Sequence, residues 1–308
     1  PDRPHPCRAT FRPISRWARP RRAYSGRVLR TRSPIRPLSL ADRDDALDLC
    51  SRDLPGSVFV AARILEGART GSLMSVLGHR VDGEPTPLCW ASANGVPVAT
   101  TPESQALIAE RVRRWKGRCA SLFGRRDEVE GLWSHLAPHW GPARAIRTRQ
   151  PLLVADRLPS TLGVQIDQRV RPARVDEVDL VLPAAEHMFT AEIGYPPYRG
   201  SSRGYLASLA TLAQRGHTYV VIEHGEVVFK TDIGSLALGC AQLQGVWLAP
   251  HLRGQGLAAP MLASVVEQVM LGPAPLVTLY VNDFNTAARA TYRRLGFRDA
   301  GDFATVLL

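Results

Sequence analysis

A glycine-rich turn between an apolar strand and an apolar helix is the first feature of the chain that could do chemistry. Residues Gly245 to Pro260 read Gly-Val-Trp-Leu-Ala-Pro-His-Leu-Arg-Gly-Gln-Gly-Leu-Ala-Ala-Pro. The first amides of a helix have no internal partners and lie at the positive end of its dipole, which is typical of a phosphate-binding site. Gly254 and Gly256 let a ligand approach the backbone closely. A helix is predicted behind the turn from the spacing of Leu257, Met261, Leu262, Val265, Val266 and Val269.

A second segment, from Leu279 to Phe297, places an amide and a phenol on a short helix. Alternating apolar residues predict a strand, after which Asn285 is a favourable helix N-cap. Two arginines suit the last turn of this helix, and Gly296 ends it. Tyr292 therefore lies about two turns into the predicted helix.

Together the two segments resemble the GNAT superfamily of N-acetyltransferases. In that family an Arg/Gln-x-x-Gly-x-Gly/Ala turn holds the pyrophosphate of coenzyme A, and a later helix carries Asn and Tyr toward the thioester. Arg253 to Ala258, Asn285 and Tyr292 match these positions, and the resemblance covers about residues 169–308. It implies acetyl-CoA as cosubstrate and the cofactor-binding residues Val246, Trp247, Leu248, Arg253, Gly254, Gln255, Gly256, Leu257, Ala258 and Asn285.

The resemblance also implies direct transfer of an acetyl group to a primary amine, without a metal. Such transfer needs a positioned carbonyl, a neutral amine, a stabilised oxyanion and a proton for the departing thiolate. In the family, the strand that matches Cys240 to Leu248 splays from its neighbour, so that amides near Val246 and Leu248 bind the pantetheine. Tyr292 matches the family's proton donor, because a phenol with a pKa of about 10 stays protonated at neutral pH. Core packing for Tyr292 and simple helix capping for Asn285 are the alternatives.

The general base is the least defined part of this site. Many family members carry a Glu on the central strand, where this chain has Gln242 and Gln244, whose amides do not take up a proton. We favour Glu192 as the catalytic carboxylate because its aromatic and proline-containing segment falls where the family binds the acceptor. Asp232 is the second choice, and a surface carboxylate without a catalytic task is the alternative for both.

Two further groups of residues carry weaker signals. Cys240 could serve as a nucleophile, but a half-buried strand cysteine is the commoner case. His135 and His139 have the i, i+4 spacing of metal ligands. Pro138 is expected to interrupt their helix and no third ligand is evident, so we predict no metal site.

A weak internal repeat in the sequence indicates two related domains. Ile35 to Asp42 and Val170 to Asp176 each predict a short strand followed by an Asp-led helix. The elements between them repeat the order around the second-half motifs: a strand over 88–99, a helix over 102–115, a strand over 119–123 and a helix over 127–136. We therefore predict an α/β fold with two GNAT-like domains in tandem, each a mixed, mostly antiparallel sheet flanked by helices.

The two predicted domains differ at the cofactor site. Where the second has its glycine turn, the first has Thr100-Thr-Pro-Glu103. Thr101 can cap the helix, but Glu103 places a negative charge where a pyrophosphate would lie. We predict a degenerate first domain that buttresses the catalytic one or shapes its acceptor cleft. The predicted boundaries are 1–34 for a tail, 35–156 for the first domain, 157–167 for a linker and 168–308 for the catalytic domain.

Positive charge is concentrated in the tail. The chain has a formal charge of +11, and residues 1–36 hold eleven Arg and one Asp, so ten of the net charges lie there. Several prolines and the absence of an apolar period predict disorder. A nucleic-acid-binding arm and an organellar targeting segment are alternatives, but we favour a fragment or an over-extended reading frame with Val28 as the start. The remainder lacks the charge of a nucleic-acid-binding protein.

Composition limits the remaining function classes. No apolar run approaches the length of a membrane span. Five cysteines, an odd number without Cys-x-x-Cys spacing, predict free thiols and a cytoplasmic location. We expect a small-molecule or protein amine as acceptor, with no membrane or nucleic-acid partner. A non-catalytic acyl-CoA sensor or partner-binding protein is the alternative function, because the strand glutamate is missing.

Overall fold

The computed structural model of the protein describes residues 34–81 and 84–308, so the predictions for residues 1–33 lie outside the described residues. The first half contains β1 (Ile35–Pro37), α1 (Arg43–Ser51), α2 (Leu54–Thr70), β2 (Val76–Val81), β3 (Glu84–Ala91), β4 (Asn94–Val98), α3 (Pro102–Val112), β5 (Ser121–Arg125), α4 (Arg126–Trp140) and β6 (Ala145–Ala155). The second half contains β7 (Arg171–Pro172), α5 (Val178–Ile193), α6 (Arg203–Gln214), β8 (Thr218–Glu223), β9 (Glu226–Ala237), β10 (Cys240–Leu248), α7 (Ala258–Leu271), β11 (Leu276–Tyr280), α8 (Thr286–Arg294) and β12 (Arg298–Leu307).

These strands form one sheet in the order β1-β2-β3-β4-β5-β12-β6-β11-β10-β9-β8-β7. Neighbouring strands are antiparallel except for two pairs, β4 with β5 and β10 with β11. The parallel pair occupies the same place in each half, between a hairpin strand and the strand that follows a crossover helix. This arrangement confirms the predicted mixed, mostly antiparallel α/β fold in two related halves.

The two halves exchange their final strands. β6, the last strand of the first half, pairs with β11 of the second half. β12, the last strand of the second half, pairs with β5 of the first half. The two exchanged strands also pair with each other over most of their length. Each predicted domain thus completes its partner's sheet, while the boundaries at 156 and 168 stay a prediction.

The internal repeat appears in the structure as an ion pair between the first strand of each half and the turn that follows it. Arg36 in β1 donates two hydrogen bonds to Asp42, and Arg171 in β7 donates two to Glu177. The spacing of six residues is the same in both halves. In the second copy the Arg171 contact holds the pKa of Glu177 at about 2, although burial opposes the shift. Both arginines therefore fix the turn that leads from the first strand to the first helix.

Three predicted elements need correction. The single strand over 88–99 is wrong, because the chain turns at residues 92–93 and forms the hairpin of β3 and β4. The helix over 102–115 ends as an α-helix at Val112 and continues as a 3₁₀-helix to Arg118. Pro138 does not interrupt α4, which continues through it to Trp140. Proline costs a helix one hydrogen bond, and here the buried Trp140 anchors the last turn against the core.

The core of the second half fixes the helices that carry the site. α7 buries most of one face, including Met261, Val265 and Val269, against the sheet. Burial of each such side chain contributes about 1.5–3 kcal/mol, so the start of α7 is firmly placed at the end of β10. Within residues 34–81 and 84–308, no helix combines the length and apolar character needed to cross a bilayer.

Candidate active site

The centre of the site is a gap that opens between two parallel strands. β10 pairs with β11 only from Cys240 to Gln242, although β10 continues to Leu248 and β11 to Tyr280. Beyond Gln242 the strands diverge, as the resemblance implies. The end of β10, which contains Val246, Trp247 and Leu248, therefore presents one backbone edge that no strand among residues 34–81 and 84–308 covers.

A β-bulge marks the point where β10 bends away. Gln244 pairs with Asp232 and Trp247 with Lys230, so β10 carries one more residue than β9 between these pairs. Gly245 lies in the bulge with a φ of 61°, and a Cβ there would lie 2.9 Å from the Met188 side chain of α5. Glycine is therefore favoured here by the left-handed backbone conformation.

The loop from Arg253 to Leu257 forms an open anion cradle before α7. Gly254 and Gly256 have φ angles of 77° and 78°, and a Cβ built at either position meets no atom within 4 Å. Arg253 is held by a hydrogen bond from its Nε to the Leu248 carbonyl across 3.0 Å. The first turn of α7, from Ala258, receives no side-chain cap. Uncapped amides, a helix dipole and open space fit a pyrophosphate.

Asn285 caps α8, as the sequence predicts. Its Oδ1 accepts a hydrogen bond of 3.1 Å from the Ala288 amide. An asparagine side chain also carries two N–H donors. Because the residue is exposed at the helix start, those donors can serve a ligand while the oxygen serves the cap.

Tyr292 is buried in α8, with 7% of its surface exposed, and packs 5.8 Å from the Phe297 ring. Burial raises the pKa of the Tyr292 phenol above its usual range, and the nearby carboxylate of Glu192 raises it further. The phenol therefore stays protonated at neutral pH. Packing and proton donation are compatible roles for this side chain.

Glu192 lies at the end of α5 and contacts the first half of the chain. Arg147 of the exchanged strand β6 donates to the Glu192 carboxylate across 3.4 Å and to the Glu192 backbone carbonyl. Burial and the charge of Glu192 raise the pKa of the Tyr280 phenol to about 12, whereas Arg147 opposes the shift. The charge of Glu192 thus acts on two phenols, those of Tyr280 and Tyr292, and Arg147 binds Glu192.

Arg147 and Tyr280 were not identified from the sequence. Arg147 lies in the mostly exposed first part of β6, a strand of the first half, and only the strand exchange brings it to the second half. Tyr280 belongs to the predicted strand that precedes Asn285, and its position at the open end of β11 was the available signal. Neither residue is part of a recognisable spacing motif.

The other polar side chains considered for catalysis, except Gln244, are buried. Asp232 is buried and is engaged by the Lys230 ammonium and by the Thr218 hydroxyl at 2.8 Å. Gln242 is buried, whereas Gln244 is exposed. Cys240 is fully buried, and burial raises the pKa of its thiol to about 12, which disfavours a thiolate nucleophile.

The equivalent place in the first half is filled by carboxylates of the chain itself. Thr101 caps α3, as predicted, and its side chain accepts from the Ser104 amide. Hydrogen bonds from its own amide and from Thr101 lower the pKa of Glu103. Burial raises the pKa of the Glu128 carboxylate in α4 to about 7, although the backbone at residues 99 and 100 opposes the shift, and its buried Oε2 has no hydrogen-bond partner among the described residues. The carboxylate of Glu103 therefore occupies an amide at the helix start where an anion would bind.

The fold defines the class: an α/β protein in which two parallel strands diverge beside an open glycine loop. Residues 185–297 match the model of the acetyltransferase (GNAT) family, and residues 74–181 match a domain of unknown function, DUF4081. The second half of the chain is therefore a GNAT-family acetyltransferase domain, in tandem with a related first half.

Several solved structures share the fold of both halves. A GCN5-related N-acetyltransferase from Sphaerobacter thermophilus is 16% identical, with a TM-score of 0.58, and the match covers 88% of this chain and 93% of that one. A Drosophila protein is 14% identical, with a TM-score of 0.60, over 90% of this chain and 99% of that one. A tandem GNAT protein from the clavulanic acid biosynthesis pathway is 16% identical, with a TM-score of 0.50, over 89% and 98%. These likenesses establish the fold.

Proposed function

We propose that the protein is an acetyl-CoA-dependent N-acetyltransferase that moves an acetyl group directly to a primary amine. The divergence of β10 from β11 beside an open glycine loop, within a segment that matches the GNAT family, carries this proposal. An uncovered strand edge binds an extended ligand through backbone hydrogen bonds, and a helix start binds an anion. The pantetheine arm and the pyrophosphate of coenzyme A have these two properties.

Each predicted residue has a physical role in this proposal. Acetyl-CoA supplies the thioester, and the backbone of Val246, Trp247 and Leu248 holds its arm. The amides of the loop from Arg253 to Ala258, including Gln255 and Leu257, hold the pyrophosphate, and the Asn285 amide group adds a donor. Tyr292 donates a proton to the departing sulfur. The proposed reaction uses no metal ion.

Glu192 takes a proton from the attacking amine in this proposal, directly or through water. Its support is the effect of its charge on the pKa of both phenols and its place at the end of α5, in contact with Arg147. Glu192→Gln should lower the rate mainly at neutral pH, and higher pH should restore much of it as free amine becomes abundant. Rate profiles from pH 6 to 10 for both proteins test this role, and superimposable profiles would remove Glu192 from the chemistry.

The first half has a non-catalytic role in this proposal. Thr101 caps the helix start that would bind an anion, Glu103 adds a negative charge there, and strand β6 contributes Arg147 to the second half. The unpaired cysteines Cys50, Cys89, Cys119 and Cys240 support a reducing compartment, and we propose the cytoplasm. The acceptor is a small-molecule amine or a protein amine.

Thiol release from acetyl-CoA, measured with a panel of small amines and lysine peptides, tests the proposed activity. Turnover with at least one amine, and formation of the N-acetyl product by mass spectrometry, is the expected result. A non-catalytic acyl-CoA sensor is the second candidate, favoured by glutamines at 242 and 244 where relatives carry a glutamate. Tight coenzyme A binding without turnover of any amine would support the sensor.

A further inference from the structure

We propose that Arg147 and Glu192 form a binding site for an acceptor that carries a carboxylate beside its amine, as a free amino acid does. The proposal rests on the proposed acetyltransfer and names its substrate class. The ammonium end of the acceptor binds the Glu192 carboxylate, and the carboxylate end binds the Arg147 guanidinium. The first half of the chain would thus supply the part of the site that distinguishes acceptors.

The first support is the geometry of the pair. Arg147 contacts Glu192 through both terminal nitrogens, one to the carboxylate at 3.4 Å and one to the backbone carbonyl. The Arg147 side chain is only 17% exposed, whereas the Glu192 side chain is 44% exposed. A guanidinium with five donors in a fixed fork suits a carboxylate ligand, and it stays charged at every relevant pH.

The second support is the position of the pair next to the reacting groups. β6 pairs with the open end of β11, where Leu152 lies opposite Tyr280, and Arg147 lies beyond this end along β6. The charge of Glu192 acts on the pKa of Tyr280 and on that of Tyr292, the proposed proton donor. Arg147 influences Tyr280 as well. An amine bound to Glu192 therefore lies in the neighbourhood where the strands diverge and the thioester is expected.

The third support is the rim around the pair. Arg144, just before β6, places its guanidinium 4.2 Å from the centre of the Tyr195 ring, just beyond α5. Tyr195 also packs edge-on against Phe189 at 5.9 Å. The rim therefore joins a second positive charge from the first half to aromatic surface from the second half, which suits an amino acid with an apolar side chain.

Charge pairing explains why the acceptor should be zwitterionic. A partly exposed ion pair contributes little stability, so it can open at small cost. An amine alone would engage the Glu192 carboxylate and leave the mostly buried Arg147 guanidinium with the Glu192 backbone carbonyl but without a negative charge to pair with. A zwitterion replaces both halves of the pair with charge-assisted hydrogen bonds. An acceptor with only one charge is therefore disfavoured by the charge it leaves unpaired.

Acetyl transfer in this site uses Glu192, Tyr292 and solvent as the only proton carriers. The bound ammonium first loses one proton to solvent. The amine nitrogen then forms a bond to the acyl carbon, its second proton passes to Glu192, and the carbon–sulfur bond breaks. The Tyr292 phenol gives its proton to the sulfur, and solvent restores both residues to their starting states.

Matched acceptor triplets test the proposal. Each triplet contains an amino acid, its primary amide and the corresponding decarboxylated amine, for example phenylalanine, phenylalaninamide and phenethylamine, with a lysine peptide as a protein-like acceptor. For at least one triplet, kcat/KM should be tenfold or more higher for the amino acid than for its amide. Arg147→Gln should remove this preference mainly through KM, and Arg147→Lys should restore part of it.

The matched control is Arg149→Gln, two residues along the same strand, where the arginine is half exposed and pairs with Asp302. This variant should keep the wild-type preference. Equal rates for acids and amides, or a preference for the lysine peptide, would overturn the proposal while leaving the acetyltransferase function intact. If no amine is turned over, the proposed function fails instead, and calorimetry of amino acids against their amides still decides whether the pair binds a zwitterion.

Discussion

The starts of α3 and α7 occupy equivalent places in the two halves but have opposite properties. Before α7, two glycines with positive φ leave the loop open, and no side chain caps the helix. Before α3, Thr101 caps the helix and the carboxylate of Glu103 takes up an amide of the first turn. The same architecture can therefore either leave the start of a helix open to a ligand or occupy it with side chains of the chain itself.

The largest expected effect comes from closing the open loop. Gly256→Glu adds a side chain at a φ of 78° and a negative charge where the pyrophosphate should bind, so coenzyme A binding should be lost. Thr101→Glu places the same charge at the other helix start and should leave binding unchanged. Calorimetry with coenzyme A on both folded variants decides the matter. Equal losses would show that the two halves share the binding site.

A smaller effect is expected at the proton donor. Tyr292→Phe keeps the ring that packs against Phe297, so coenzyme A affinity should be preserved, while the rate of transfer falls by roughly 10²-fold. Tyr280→Phe is the matched control at the other phenol near Glu192 and should reduce the rate less. Single-turnover kinetics separate the two variants. An unchanged rate in Tyr292→Phe would indicate that water protonates the sulfur.

The smallest effect concerns the free energy of unfolding and its dependence on Glu128 in the first half. Folding raises the pKa of Glu128 from 4.5 to about 7, so the folded state binds the extra proton and stability should fall as pH rises between these values. Glu128→Gln stays neutral and should exceed the wild type in unfolding free energy by about 2–3 kcal/mol at pH 8, with little difference at pH 4.

Urea unfolding at the two pH values measures this difference. The control is Glu103→Gln, which removes a carboxylate whose pKa is lowered, so it should weaken the protein at pH 8 rather than strengthen it. Parallel stability curves for the wild type and Glu128→Gln would show that the burial of Glu128 has no energetic consequence.

The sequence predicts features that depend on neighbours along the chain. The glycine turn, the Asn285 and Thr101 caps and the entry strands of both halves are local, because a few adjacent residues determine each backbone conformation. The strand exchange is not local. β6 and β12 share one burial pattern, a mostly exposed first half and a continuously buried second half, and such a pattern does not indicate which strand lies beside them.

The same limit explains the incomplete site. Arg147 lies 45 residues from Glu192 in the chain, and no spacing rule connects them until β6 is placed beside β11. The prediction of one strand over 88–99 failed for a different reason: residues 92–93 form a tight turn without the glycine or proline that usually marks one. Pro138 was overestimated as a helix breaker because burial of Trp140 outweighs one lost hydrogen bond.

The exchanged strands also determine the order in which the molecule can be completed during synthesis. When the first half has left the ribosome, the outer edge of β5 has no neighbour, because that neighbour is β12, made last. β6 in turn waits for β11 and β12. Until Arg298–Leu307 emerge, an aggregation-prone strand edge stays uncovered. A nascent chain that stalls before β12 would therefore leave the sheet of the first half incomplete, because β5 would lack its outer neighbour.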